Sequence, residues 1–147
     1  MLSYLHGFHA GNPADVLKHV VLVATLTHLV GKAKPLRYVE THAGAGGYDL
    51  RAAAAQKNRE YEDGIGRVLE AVDPPVAVAR LVERVRDRNR DGTLVYYPGS
   101  PLLASAILRR HDRLYLFELH SREHAALSHT LGADERVTVL REDGLQG

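Results

Sequence analysis

The feature that most constrains this chain is a glycine-rich segment placed directly after a short apolar run. The segment is His42–Gly47, and the run before it is Leu36–Glu40. A run of this length, bounded by Pro35 and by glycines, predicts a buried strand. Glycines at a strand end allow backbone amides to approach a ligand closely, as nucleotide-binding folds require. A tight bend explains the same glycines equally well, so both interpretations stay open at this point.

Helices and strands alternate through much of the chain. Ala14–Val30 carries a dense helical pattern of apolar residues, Arg113–Leu119 and Arg136–Leu140 predict two further strands, and Ser121–Leu131 predicts a helix between them. This alternation indicates an α/β fold with a parallel sheet and crossover helices. Arg51–Arg90 interrupts it with helical patterns that break at residues 73–75. We therefore expect about three parallel strands and an inserted helical subdomain.

These patterns divide the chain into three sections. Residues 1–50 hold the first helix, the first strand and the glycine loop, residues 51–98 form the inserted helical subdomain, and residues 99–147 continue the α/β domain. The third section opens with a predicted helix that Ser100 caps, because Pro101 suits the first helical position, where no amide hydrogen is needed.

Composition excludes several classes of function. The chain has 147 residues, 45% hydrophobic and 25% charged, with no cysteine and a net charge of +1. It therefore has no disulfide, no thiolate metal site and no cysteine nucleophile, and no global charge that favours nucleic acid.

His120 and His124 are four residues apart without an evident third ligand, so we expect no metal. The longest apolar run, Val20–Ala24, is too short to cross a bilayer, and no signal peptide is evident, so we expect a cytoplasmic protein without a membrane partner.

Three predicted strand ends carry groups suited to binding an adenosine. Gly44 and Gly46 follow the first strand, Glu118 ends the second, and Asp143-Gly144 follows the third. Ligands of parallel sheets bind beyond the carboxyl ends of the strands. The carboxylate of Glu118 suits two ribose hydroxyls, and the 143–144 turn suits an adenine amino group. A solvated strand-end carboxylate and an ordinary turn are the structural alternatives.

An NAD-type oxidoreductase would share this arrangement. The dinucleotide fingerprint is incomplete, because Asp49 stands where its third glycine would fall. Glu118 lies 71 residues after Gly47, whereas the acidic residue of such enzymes follows the glycine loop by about 20. The alternative therefore requires the helical section to interrupt the nucleotide-binding unit.

Five motifs in succession resemble those of the RlmJ family along the whole chain from Met1 to Gly147. They read MLSYLHGFHAGNPADVLKH, ETHAGAGGYDL, YYPGSPLLA, LFELH and REDG. RlmJ proteins are S-adenosylmethionine-dependent methyltransferases that modify N6 of an adenine in 23S ribosomal RNA. The resemblance implies a Rossmann-like class I methyltransferase fold, S-adenosylmethionine as cofactor with S-adenosylhomocysteine as product, and 23S rRNA, free or in early assembly particles, as partner.

The resemblance also implies roles for individual residues. For the RNA substrate it implies Tyr4, and Lys18 adds positive charge to the same N-terminal segment. For S-adenosylmethionine it implies His19, His42, Ser100, Glu118, Asp143 and Gly144, beside Gly44 and Gly46, which the position of the glycines after the strand already indicates. Taken singly, His19 is explained as a half-buried helix residue and Ser100 as a helix cap.

The catalytic loop of such methyltransferases, [D/N]PP[Y/F], has no counterpart in this sequence. Asp73-Pro74-Pro75-Val76 comes before the second strand and has valine where a ring should stack on the base, so we interpret it as a helix break. We therefore expect no catalytic residue in this chain, a truncated and by itself inactive part of the enzyme, and possible self-association through its uncovered sheet. A non-catalytic RNA-binding or assembly module is the other alternative.

Overall fold

The first helix begins at Pro13, one residue before the predicted start at Ala14, because Asn12 caps it. A computed structural model of the chain describes residues 5–146. In it the side-chain oxygen of Asn12 accepts the amide of Asp15 at 2.9 Å, and Pro13 takes the first helical position.

In chain order the elements are a 3₁₀ turn (His6–Phe8), α1 (Pro13–Val30), β1 (Arg37–Glu40), β2 (Gly47–Asp49), α2 (Ala53–Asn58), a π-helical turn (Glu62–Gly66), α3 (Arg67–Leu69), α4 (Val76–Asp87), β3 (Tyr96–Pro98), α5 (Ser100–Ile107), β4 (Arg113–Phe117), α6 (Ser121–Leu131) and β5 (Val137–Leu140).

The predicted parallel sheet is confirmed. Its order is β1-β4-β5, and both pairings are parallel. Leu114 and Leu116, which lie on one face of the central strand, are fully buried, whereas Tyr115 and Phe117 on the other face are half-buried. The helix α6 connects β4 to β5 over the residues that the sequence predicts.

The chain divides into two compact units. One comprises the chain up to Ala24 with Tyr48–Pro98, and the other comprises Thr25–Gly47 with the chain from Gly99 onward. The second unit holds the parallel sheet with α5 and α6, and the first holds α2, α3 and α4. The division of the sequence into three sections stays a prediction.

The helical section of the first unit packs by the apolar face of α4. Leu81, Val82 and Val85, which lie on one side of that helix, are buried. The break at residues 73–75 is confirmed, since Asp73 takes a positive φ of 50° and Pro75 precedes α4 directly. The sequence did not predict the two-stranded sheet of β2 and β3, whose strands of three residues are too short to show an alternating pattern.

Two glycines of the first unit touch backbone to backbone. A Cβ atom on Gly64 would lie 2.1 Å from the carbonyl oxygen of Gly11, so no side chain fits there. The same carbonyl accepts the amide of Ile65 at 2.9 Å. Gly11 itself has a φ of +74°, which favours glycine. The segment before α1 is thereby fixed to the π-helical turn.

A buried ion pair holds the amino end of the parallel sheet. Asp112 is fully buried, and its oxygens accept the amide of Leu36 at 2.7 Å, the amide of Arg109 at 2.7 Å, and two guanidinium bonds from Arg109. The bonds from Arg109 hold the pKa of the Asp112 carboxyl well below its usual range. Arg109 also donates to the carbonyl oxygens of Lys32 and Lys34, so one pair joins the loop before β1 to the loop before β4.

By length and composition alone, one helix among the described residues, Pro13–Val30, could cross a membrane. The core helix of a soluble protein passes the same test, so this is weak evidence. The sequence analysis considered only the five consecutive apolar residues Val20–Ala24, whereas the mean hydropathy of all 18 residues of the helix is high enough to meet this criterion.

Replacing Asp112 by alanine should lower the free energy of unfolding by about 3 kcal/mol or more, because the Arg109 charge and the Leu36 amide lose their partner. Glu135→Ala removes an exposed carboxylate and serves as the control. Urea unfolding followed by circular dichroism measures both variants. A loss for Asp112→Ala no larger than that of the control would contradict the importance of this pair.

Candidate functional site

Glu118 joins the glycine loop to the central strand of the sheet. It directly follows β4, and its Oε2 accepts the amide of Gly44 at 2.8 Å. Its Oε1 accepts the amide of His120, the residue that precedes α6, at 2.7 Å. A carboxylate can accept about four hydrogen bonds, so two lone pairs of Glu118 are left for hydroxyl groups of a ligand.

Backbone contacts hold the rest of the glycine loop at the same edge. Ala43 donates to the carbonyl of Phe117 at 2.9 Å, and Gly99 donates to the carbonyl of Gly46 at 2.8 Å. Gly44 and Gly46 have φ values of 63° and 83°, which side chains disfavour. The loop therefore runs from the end of β1 past the end of β4 to the start of α5.

The end of the third strand reaches this loop through Gly144. A Cβ atom there would lie 2.6 Å from the Cα of Thr41 and 2.9 Å from the Cβ of Phe117, so only glycine fits. The carboxylate of Asp143 accepts the Leu145 amide at 3.0 Å and the side-chain amide of Gln146 at 3.0 Å. The three strand ends that the sequence singled out thus meet within the second unit.

Glu40 is a member of this edge that the sequence analysis missed. It is the last residue of β1, and it accepts hydrogen bonds from the hydroxyls of Ser100 and Tyr38. Ser100 begins α5 after Gly99 and its hydroxyl serves Glu40, so the prediction that it caps the helix is wrong. The signal that selected Glu118, a carboxylate at the end of a buried strand, also applies to Glu40.

His42 lies on the exposed side of the loop. Its Nδ1 is 2.9 Å from the hydroxyl of Thr41. Within the second unit the structure therefore brings together the segments that carry His42, Gly44, Gly46, Ser100, Glu118, Asp143 and Gly144. Which ligand they bind stays a prediction.

His19 belongs to the first unit and is 5% exposed. Its Nδ1 is hydrogen-bonded to the Tyr97 hydroxyl at 2.8 Å, and the two rings stack with centroids 5.6 Å apart. Burial lowers the pKa of His19 to about 4 although the charge of Asp15 opposes this, so the ring is neutral at pH 7. No local pattern identifies Tyr97 as the partner of His19, because the two residues are 78 positions apart.

Lys18 is exposed, and its ammonium lies 3.2 Å from Asp15. Asp15 is 1% exposed and accepts bonds from His6 Nε2 at 2.7 Å and from the Gly11 amide at 3.0 Å. Burial works to raise the pKa of Asp15, but the hydrogen bond and charge of His6 outweigh it and lower the pKa to about 2. Tyr4 lies outside the described residues. Over residues 5–146 no group of three potential ligands could hold a metal.

A family model described as ribosomal RNA large subunit methyltransferase D, RlmJ, matches residues 33–147. The chain belongs to this family. The match covers the glycine loop, both acidic strand ends and the turn at residues 143–144. The α/β sheet with three parallel strands is consistent with part of a Rossmann-like fold.

Relatives of known name agree with the family. Ribosomal RNA large subunit methyltransferase J of Escherichia coli strain K12 is 45% identical over 146 residues, which are 99% of this chain and 52% of the relative. The protein of that name from Haemophilus influenzae is also 45% identical, with the same coverage. A crystal structure of protein LPL1258 from Legionella pneumophila superposes with a TM-score of 0.86 at 42% identity, covering 94% of this chain and 51% of that one. The chain spans about half the length of these relatives.

Replacing Gly144 by alanine should destabilise the second unit by about 2 kcal/mol or more, because the new methyl group meets the backbone of Thr41. Gly7→Ala is the control, since a Cβ atom there meets nothing closer than 3.7 Å. Urea unfolding measures both. Equal unfolding midpoints for the two variants would show that the third strand end does not pack as described.

The buried His19 should make stability fall as the pH drops from 6.5 to about 4, because the unfolded chain binds a proton in this range and the folded chain does not. One such proton contributes a slope of at most about 1.4 kcal/mol per pH unit. In His19→Gln this decrease in the free energy of unfolding at low pH should disappear. The control His28→Gln, which replaces an exposed histidine, should show the same decrease as the wild type. Urea unfolding at several pH values gives the slopes, and a slope unchanged in His19→Gln would contradict the neutral buried ring.

Proposed function

We propose that this chain binds S-adenosylmethionine at the carboxyl edge of its parallel sheet, as the donor-binding part of a 23S rRNA (adenine-N6)-methyltransferase. The observation that carries the proposal is the bond between Glu118 and the Gly44 amide, which sets an acidic strand end beside a loop with little side-chain bulk. Family membership supports the methyl-transfer class.

The residues at this edge fit an adenosine. The two free lone pairs of Glu118 suit the two ribose hydroxyls, which donate hydrogen bonds. Gly44 and Gly46 have no side chains that would separate the backbone from a ligand. Asp143 accepts hydrogen bonds from Leu145 and Gln146, and the remaining lone pairs of its carboxylate suit an adenine amino group.

The charge of the edge favours a cationic ligand. Glu40, Glu118 and Asp143 place three carboxylates at or after the ends of the three strands, and exposed Arg141 after β5 offsets part of this charge. S-adenosylmethionine carries a sulfonium, an ammonium and one carboxylate, so it is a net cation that the carboxylates of the edge attract, whereas the diphosphate of NAD is anionic. This supports the methyltransferase over the oxidoreductase alternative.

When bound, the cofactor supplies a methyl group on a positively charged sulfur. The chemistry that it would supply is transfer of this methyl group to the adenine amine, with S-adenosylhomocysteine as the leaving group and the amine proton lost to water. The residues of this chain would contribute by orienting the donor, because in-line attack depends on positioning rather than on a covalent intermediate. For His19 and Tyr4, the resemblance to the RlmJ family is the support for a cofactor role and an RNA role respectively, and for Lys18 the support is its exposed positive charge.

Calorimetric titration of S-adenosylhomocysteine into the wild type, Glu118→Gln and Glu118→Ala tests the proposal. Hydrogen bonds to charged groups contribute about 1.5–3 kcal/mol each, so affinity should fall roughly tenfold or more in Glu118→Gln and further in Glu118→Ala. Binding is the suitable measurement because the sequence contains no [D/N]PP[Y/F] loop.

Glu142→Gln is the matched control, since it removes an exposed carboxylate next to Asp143 and should leave the affinity unchanged. Circular dichroism must show that Glu118→Gln remains folded. Equal affinities of the wild type and Glu118→Gln would refute the ribose contact. Tight binding of NADH that S-adenosylhomocysteine does not displace would favour the oxidoreductase.

A further inference from the structure

The amino edge of the parallel sheet carries a dense cluster of positive charge. Arg37 and Arg113 are the first residues of β1 and β4, and the loops before these strands add further cations. The cluster consists of Lys32, Lys34, Arg37, Arg110 and Arg113, and we call it the amino-edge patch. All five side chains are exposed.

The fold brings these residues together from two distant parts of the sequence. The Arg109 guanidinium donates to the carbonyls of Lys32 and Lys34, and the amide of Arg113 donates to the carbonyl of Leu36 at 3.0 Å. The two loops are therefore in contact within the second unit. Their one acidic residue, Asp112, is fully buried and is neutralised by Arg109.

The two loops that carry the patch have a larger net positive charge than the whole chain. Residues 32–37 and 109–113 contain six basic residues and one acidic residue, a net charge of +5. The rest of the chain has 13 basic and 18 minus one, or 17, acidic residues, a net charge of −4. The loop before β5, at the same edge, adds Asp134, Glu135 and Arg136, a net charge of −1, so the edge keeps a net charge of +4. A protein with a total charge of +1 thus concentrates positive potential at one edge, which attracts polyanions.

The register of β1 and β4 places two of these positive charges side by side, which is unfavourable. Arg37 and Arg113 are direct partners in the parallel register, and like charges directly opposite each other destabilise a sheet. The guanidinium of Arg37 also lies over the ring of Tyr115, 5.6 Å from its centroid. One nitrogen of the Arg113 guanidinium donates to the carbonyls of Arg110 and Asp112, at 3.2 and 2.8 Å. Phosphates bound near the two exposed guanidinium groups would relieve their repulsion.

We propose that the amino-edge patch binds the phosphate backbone of the substrate RNA outside the region that holds the target adenine. This rests on the proposed function for the identity of the RNA. A strand rises about 3.3 Å per residue, so β4 separates the patch from the carboxyl edge by about 15 Å. Contacts at that distance add affinity and orientation but do not touch the methyl donor.

The arginines of α4 are the competing surface. Residues 80–90 contain five arginines and two acidic residues, a net charge of +3. Arg84 lies 3.5 Å from Asp87, and Arg86 donates to the carbonyl of Leu69 at 3.3 Å. Because this smaller excess is partly engaged inside the first unit, we assign the RNA contacts to the amino-edge patch.

The experiment compares two triple variants with the same loss of charge. Lys32→Gln, Lys34→Gln and Arg110→Gln together remove three cations of the patch and spare Arg109. Arg80→Gln, Arg88→Gln and Arg90→Gln together do the same on and after α4. Fluorescence anisotropy with a labelled RNA hairpin that has an unpaired adenine in its loop gives the affinity at several salt concentrations.

The patch variant should lose roughly tenfold or more in RNA affinity at 50 mM salt, and the slope of log K against log salt should shrink by about 2 to 3. The α4 variant should bind like the wild type. A loss confined to the α4 variant, or equal losses in both, would overturn the proposal. So would a patch variant that binds RNA normally but loses binding to vesicles containing phosphatidylserine.

Calorimetry with S-adenosylhomocysteine separates this proposal from the proposed function. The patch variant should have the same affinity for S-adenosylhomocysteine as the wild type, because its substitutions lie at the edge of the sheet opposite Glu118. If Glu118→Gln also left cofactor binding unchanged, the proposed function would fail while the RNA measurement still decided the role of the patch.

Discussion

The carboxylate of Glu118 is the interaction on which the arrangement of the site depends. One of its oxygens holds the glycine loop and the other holds the start of α6, so a single side chain sets the spacing between the first two strand ends. Gly144 then brings the third strand end against the same loop by the absence of a side chain. A side-chain acceptor at this position pairs a loop amide and a helix-start amide that have no helical partner, and a carboxylate makes these bonds stronger than a neutral group would.

Two strands of the second unit separate their charges along the strand direction. Glu40 ends β1 and Glu118 follows β4, and exposed lysines and arginines precede both strands, whereas β5 has exposed Glu135 before it and exposed Arg141 after it. The proposed methyl donor is a net cation that the carboxylates of β1 and β4 attract, and the proposed RNA carries phosphates that the basic loops attract. The two ligands of a nucleic-acid methyltransferase have opposite charges, so a sheet with oppositely charged edges can attract both without a large net charge.

The sequence predicts the parallel sheet, α1 and α6, because their apolar patterns are long and their ends carry proline, asparagine or glycine. It also locates the glycine loop and Glu118. It does not predict β2 and β3, whose three-residue strands carry no period, or the bond between Ser100 and Glu40, which joins residues 60 positions apart. The pairing of His19 with Tyr97 and the contact of the two basic loops depend on the same long-range packing. Local patterns contain no information about these contacts.

The approach of Gly64 to Gly11 limits how this chain can change. A methyl group on Gly64 would meet a backbone carbonyl, and no second-site substitution can remove a carbonyl. A methyl group on Gly11 would instead meet side-chain atoms of Ile65 and Tyr61, which smaller residues could relieve apart from the cost of its positive φ. In a mutational library, suppressors should therefore be recoverable for changes at Gly11 and not for changes at Gly64.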